Sequence, residues 1–282
     1  MAFASSNGVK LYYEETGQGF PIVFVHELAS DLRQWEGQIR WFARQYRCIA
    51  FNARGYPPSD VPTRDDDYAY GNFVDDIAAV MRHAGIAQAH IVGWSMGAYA
   101  ALHFGLRHAS MARSIAAVGV GSGSPPAERT EFMATMAARA DEFLAKGSAF
   151  CAETMAESPT RIQLKRKDPR SWAEFKRDLA GHSAQGMAMT CRNFQGRRPS
   201  LQDFAAQLAA MTMPVQIMLG DEDAPCVETS LFLKRTIPAS GLWMAPQTGH
   251  APNLEDSAGF NTALQDFLAA VERGQWRLDK AG

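Results

Sequence analysis

Along this chain, short unbroken apolar runs alternate with segments whose apolar residues recur at helical spacing. Pro21-Ile22-Val23-Phe24-Val25, Cys48-Ile49-Ala50-Phe51, Ile115-Ala116-Ala117-Val118 and Val215-Gln216-Ile217-Met218-Leu219 are such runs. They have the pattern of strands buried on both faces of a parallel sheet. Ala89-His90-Ile91-Val92 belongs with them, and Leu242-Trp243-Met244 predicts the last strand. Val9 to Tyr13 alternates instead before reaching Gly17, and predicts an antiparallel edge strand. Between the runs, Phe73, Ile77, Val80, Met81 and Ala84 fall on one helical face, with Gly85 placed to end the helix. Phe260, Leu264, Phe267, Leu268 and Val271 predict a closing amphipathic helix. The expected fold class is therefore α/β, a mostly parallel central sheet with helices on both faces.

The alternation stops between about Pro125 and Met213. That span predicts helices over Arg129 to Lys146, Ala149 to Glu157, Ser171 to Leu179 and Ser200 to Met211. The last of these opens on Ser200-Leu201-Gln202-Asp203, which resembles a capping box. A helical block between two sheet strands reads as a lid inserted after the sixth strand. The expected domains are a core of 1–124 with 213–282 and a helical lid of 125–212. Met133, Met136, Met155, Met187 and Met189 could line an adaptable apolar pocket under it or simply fill gaps between helices.

Composition narrows the partners. The chain has 282 residues and a net charge of −2 with acids and bases intermixed, so neither nucleic acid nor an anionic membrane is expected. The first eight residues lack the basic and apolar regions of a signal peptide, and no apolar run approaches a membrane span. Cys48, Cys151, Cys191 and Cys226 are scattered and are expected as reduced thiols. The expectation is a cytoplasmic monomer or homodimer acting on a small, largely apolar molecule.

Candidate chemistry centres on Gly93-Trp94-Ser95-Met96-Gly97, which follows the run at Ala89 and opens the small-residue stretch Ala98-Tyr99-Ala100-Ala101-Leu102. A strand, a sharp turn with serine at its tip, and a helix make a nucleophile elbow, and the flanking glycines remove Cβ atoms that would clash. A serine hydroxyl needs a base, and the base needs an orienting acid. His250, between the last strand and the last helix, is the one histidine in the final hundred residues. Behind the strand at Val215 the chain offers Asp221, Glu222 and Asp223.

With these residues the chain resembles the α/β-hydrolase family over almost its whole length. That family's Gly-x-x-Asp pattern selects Asp223 within Gly220-Asp221-Glu222-Asp223. Val25-His26-Glu27-Leu28 looks like its His-Gly-x loop, and Asn52-Ala53-Arg54-Gly55-Tyr56-Pro57-Pro58-Ser59 looks like its Asp-x-Arg-Gly-x-Gly-x-Ser stretch. The resemblance implies oxyanion donors at the backbone N–H groups of Met96 and Leu28, with His26 organising the loop. It also implies two-step acyl transfer through Ser95, with no metal or organic cofactor required. Trp94, Tyr99, Leu28 and Trp35 are the expected pocket neighbours. Ester or lactone hydrolysis, as in enol-lactonases and small-molecule carboxylesterases, is the first expectation. Carbon–carbon cleavage of diketones comes next, then thioester hydrolysis or peroxidation, and last a receptor without turnover. Serine at 95 argues against epoxide hydrolases and haloalkane dehalogenases, which use aspartate there.

One departure stands out. Glu27 replaces the family's glycine, and a carboxylate there opposes negative charge developing in an oxyanion hole. Its side chain is therefore expected to point away from the hole, with Arg54 as its counter-ion.

Overall fold

The computed structural model describes residues 2–276. Its eight strands are β1 (Ala2–Ser6), β2 (Val9–Thr16), β3 (Phe20–Val25), β4 (Tyr46–Phe51), β5 (Ala89–Trp94), β6 (Ala112–Val118), β7 (Val215–Gly220) and β8 (Ser240–Ala245). They form one sheet in the order β1-β2-β4-β3-β5-β6-β7-β8. β1–β2 and β2–β4 are antiparallel; every later pair is parallel. β5 and β7 are buried at every position, as strands covered on both faces must be.

The alternating strand at Val9 is not the edge. β1 lies outside it, joined through Asn7 and Gly8, both at positive φ (50° and 81°). Asn-Gly is the dipeptide that a tight hairpin of primed type favours, so this strand had a readable local signal. Its weak apolar content, Ala2-Phe3-Ala4-Ser5-Ser6, is what hides it.

The sheet's helices are α1 (Glu36–Phe42), α2 (Tyr70–His83) and α3 (Met96–Arg107), with others following further along the chain. Between β6 and β7 the chain is helical, as expected. α4 (Arg129–Ala156) joins the two helices predicted there, and Gly147 (φ 79°, ψ 167°) breaks it where the sequence placed the gap. α5 (Ile162–Lys167) and α7 (Ala184–Met189) were not foreseen; α6 (Pro169–Ala180) was. A π-helical stretch, Thr190–Gln195, continues α7, and the predicted helix at Ser200 is a 3-10 turn followed by α8 (Ala205–Ala209). Its capping box is present: Ser200 Oγ accepts from Gln202 N at 3.0 Å, and Asp203 accepts from Ser200 N at 2.9 Å. Ser200 Oγ also donates to Ser124 O at 2.6 Å, tying the two ends of the insertion together. After β7 come α9 (Ala224–Thr236), α10 (Pro252–Glu255) and α11 (Ser257–Glu272). None of the described helices is long and apolar enough to cross a membrane.

Candidate active site

Ser95 stands between β5 and α3 at φ 54°, ψ −109°, a strained conformation for a residue with a side chain. The turn is tight enough to force glycine on both sides. A Cβ on Gly93 would meet Gly97 O at 2.2 Å, and one on Gly97 would meet Val25 O at 2.2 Å. Ser95 N donates to Val118 O at 2.7 Å, and Tyr99 N donates to Ser95 O at 3.0 Å, so sheet and helix both hold the elbow.

His250 reaches the same cavity from the loop after β8. Its Nδ1 lies 2.7 Å from Asp223 Oδ2, and both residues are buried. Burial alone would raise the Asp223 carboxyl, but the charge and hydrogen bond of His250 outweigh it and hold it below its ordinary range. Of the three acids after β7, only Asp223 meets the imidazole. Asp221 accepts from Thr248 N at 3.1 Å, and Glu222 accepts from Gln163 Nε2 at 2.8 Å. The histidine loop is clamped from several sides. Trp94 Nε1 donates to His250 O at 2.7 Å, and His250 N donates to Thr160 O at 2.9 Å. Glu255 accepts from Gly249 N at 2.6 Å and Ala251 N at 3.0 Å, straddling the histidine. Sequence reasoning missed Glu255, although an acid in the first turn of a helix that follows a candidate histidine was a usable signal.

Asp223, Cys226 and His250 also bring potential metal-ligand atoms within 4.8 Å of one another. The donors do not suit a metal. His250 Nδ1 is engaged by Asp223, and the Cys226 thiol donates to Gly119 O at 3.3 Å. Burial pushes that thiol well above its ordinary range, away from the thiolate a metal needs.

The loop after β3 carries His26, Glu27 and Leu28. His26 is fully buried, and desolvation lowers it to about 4, so it is neutral. Its Nδ1 donates to Glu27 O at 2.6 Å while Nε2 accepts from Ala53 N at 3.0 Å. It links two loops. Tyr56 Oη donates to Leu28 O at 2.8 Å and fixes the next peptide. Leu28 lines the cavity, and Met96 is the first residue of α3, where backbone N–H groups lack partners within the helix.

The expectations for Glu27 are overturned. Its carboxylate faces the cavity, with Oε2 3.7 Å from His250 Nε2. Its counter-ion is Arg161, whose Nη2 contacts both carboxylate oxygens. Arg54 is spoken for elsewhere: Nε and Nη2 donate to Asp76 on α2 at 2.8 and 2.5 Å, and Nη1 to Asp67 O at 2.7 Å. Arg161 enters from the start of α5, its guanidinium stacked between Trp94 (5.0 Å) and Phe175 (4.6 Å). Nothing in the sequence brings residue 161 to residue 27 until the insertion folds over the sheet.

The pocket neighbours are corrected as well. The cavity beside Ser95 has a volume of about 220 Å³. Leu28 lines it, but Trp35, Trp94 and Tyr99 do not. All three are fully buried behind it: Trp35 packs between Phe24 and Phe260, Trp94 holds the His250 loop, and Tyr99 donates to Pro199 O. Of the five methionines only Met136 and Met155 reach the cavity; Met133 is exposed, while Met187 and Met189 are buried elsewhere. With the methionines come Phe132, Phe175, Gln195 and three arginines, Arg139, Arg161 and Arg198. The cavity is polar and cationic on the insertion side.

Residues 21–257 match the model of the alpha/beta hydrolase fold family. A 3-oxoadipate enol-lactonase from Acinetobacter baylyi is 26% identical over 94% of this chain and 95% of its own length. Among solved structures, a thermophilic esterase from Thermogutta terrifontis superposes with a TM-score of 0.85 at 23% identity, covering 96% of this chain and 98% of that one. An enol-lactonase from Burkholderia xenovorans does so at 0.84 and 21%, covering 95% and 100%.

Proposed function

This chain belongs to the α/β-hydrolase fold family, and on that premise we propose that it hydrolyses an ester or lactone of a small molecule through an acyl-enzyme on Ser95. The observation that carries the reading is the 2.7 Å contact between His250 and Asp223 in the cavity that also holds the strained Ser95. His250 Nε2 takes the proton from Ser95 Oγ as the oxygen attacks the carbonyl carbon, and Asp223 stabilises the imidazolium that forms. The oxyanion is held by the N–H groups of Met96 and Leu28. The imidazolium then protonates the leaving alkoxide, which in a lactone stays attached to the acyl chain. Water, deprotonated by His250, attacks the acyl carbon and frees Ser95. The enol-lactonase relatives that match nearly end to end support an ester or lactone carbonyl as the target.

The test is turnover of p-nitrophenyl butyrate together with Ser95→Ala. The wild-type protein releases many nitrophenolates per chain, and the variant loses roughly a thousand-fold or more in kcat/KM with its melting temperature unchanged. A serine-directed phosphonate adds mass to the peptide carrying Ser95. Activity surviving in Ser95→Ala, or labelling elsewhere, overturns the mechanism. A burst that stalls near one event per chain identifies a receptor instead.

A further inference from the structure

The insertion walls the cavity with charges that no carboxylate of the described residues neutralises. α4 presents Phe132, Met136 and Arg139 at spacings of four and three, so one helical face descends into the cavity. Arg139 Nε is closed off from solvent and has no hydrogen-bond acceptor. Arg198 follows the π-helical turn that also sets Gln195 on the wall, a widened turn of the kind that often marks functional sites. Arg198 is only 4% exposed, with its guanidinium between the rings of Tyr99 (4.5 Å) and Phe132 (5.4 Å). Its acceptor is a neutral carbonyl, Ser122 O, at 2.8 Å. Burial lowers it to about 10, with help from the neighbouring charge of Arg129. No carboxylate of the described residues pairs with Arg139 or Arg198, whereas Arg161 has Glu27. Three guanidiniums against one carboxylate leave two positive charges over.

Keeping a cation out of water without an anion is unfavourable, and such groups are normally paired. Arg198 is such a group, and it faces the cavity of the candidate nucleophile, whose wall also carries the half-buried Arg139 with its Nε closed off and unpartnered. Resting on the ester or lactone reading above, we propose that Arg139 and Arg198 form a carboxylate-binding subsite, so that the substrate is a small ester or lactone carrying its own free carboxylate. The guanidinium fork of Arg198 matches a carboxylate in its plane, and ring stacking fixes the fork in place. Arg139 adds a second donor from α4. Gln195, 5% exposed with Oε1 unpartnered, adds a polar group to the same cavity lining. Glu27, neutralised by Arg161, leaves this charge balance in place while disfavouring a carboxylate at the reacting end. The acid is thereby steered toward the insertion and the scissile carbonyl toward the elbow.

Two esters differing in one group test this: p-nitrophenyl butyrate and mono-p-nitrophenyl glutarate. In the wild-type protein kcat/KM for the charged ester exceeds that for the neutral one by roughly ten-fold or more, and Arg139→Gln or Arg198→Lys lowers that ratio by about ten-fold. Arg139 is half-buried, so Arg139→Gln is the variant that keeps the fold; circular dichroism and melting verify both. Calorimetric titration of the resting protein with glutarate runs in parallel, with glutaramide and inorganic phosphate as comparisons. Glutarate binds, glutaramide does not, and both variants weaken glutarate by a similar factor. A wild-type preference for the neutral ester, or a ratio unmoved in a folded variant, overturns the subsite. Phosphate binding more tightly than glutarate overturns the carboxylate assignment. If neither ester turns over, the hydrolase reading fails, and the titration alone then decides the subsite.

Discussion

Glu27 and Arg161 join two parts of the chain that local patterning never connects, and both side chains are almost wholly withdrawn from water (3% and 6% exposed). The cost of desolvating each is offset only while the other is present. Replacing Glu27 by Gln leaves a buried guanidinium whose Nη1 already lacks a partner, and replacing Arg161 by Met leaves a carboxylate 3.7 Å from His250 Nε2. Each single change is expected to lower stability by about 3 kcal/mol. The double variant is expected to lose clearly less than the sum, because it strands neither charge. Urea unfolding of the four proteins gives the coupling; additive losses would show that the pair contributes nothing. The same pair marks the limit of what the sequence discloses at this scale. Ser95, His250 and Asp223 were legible because each sits beside a strand end with its own local signature, in a fixed chain order. Arg54 was misassigned to Glu27 because nothing local to either residue says which acid the fold brings to the guanidinium. The fold places Asp76 on the adjoining helix, where both guanidinium edges meet it.

Among the elements, the elbow and the insertion contrast in how they could be read. β5 and α3 were visible because a buried strand must be apolar and the turn between them must be small. That constraint is steric and local, so it predicts opposite signs for one substitution at two places. Gly97→Ala drives a methyl into Val25 O and His26 O, backbone atoms that the sheet cannot move; the expected loss is at least 2–3 kcal/mol, or no soluble protein. Gly37→Ala, in α1 with nothing within 4 Å of the new Cβ, is expected to gain about 0.5 kcal/mol from helix propensity. Melting curves of the two variants distinguish them, and a tolerated Gly97→Ala would contradict the close approach of α3 to β3. The insertion was legible only as helices. Its helical period says which residues share a face, as with Phe132, Met136 and Arg139, but not which face meets the cavity. That choice is made by tertiary contacts such as Tyr99 to Pro199 and His250 to Thr160. Hence Trp35, Trp94 and Tyr99 proved to be core, and much of the lining beyond the motif loops came from a stretch with no motif.

Over the whole molecule, buried histidines set how the fold responds to acid. Burial lowers His26 and His103 to about 4 and His90 to about 3, the last two with help from Arg198 and Arg113 respectively. An unfolded histidine titrates near 6.5, so between that pH and the folded values the unfolded chain binds more protons than the native one. Stability is therefore full above pH 6.5 and declines as pH falls toward 4. Glu255 and Asp76, raised by burial, act with the opposite sign and take up protons in the native state first. The depression of Asp223 adds its own loss only lower, within the carboxylate range. The histidines dominate the window above pH 5, at about 1–2 kcal/mol each near its lower end. Urea midpoints measured from pH 7.5 to 5 should fall steadily, and unfolding near pH 5.5 should take up two to three protons. A flat profile would mean that these imidazoles are charged in the native state, which would undo the neutral, loop-bridging role of His26. The result also governs how activity is read. An acid limb that follows the melting temperature reports the fold, whereas one that appears while the protein is still fully folded reports the chemistry of the site.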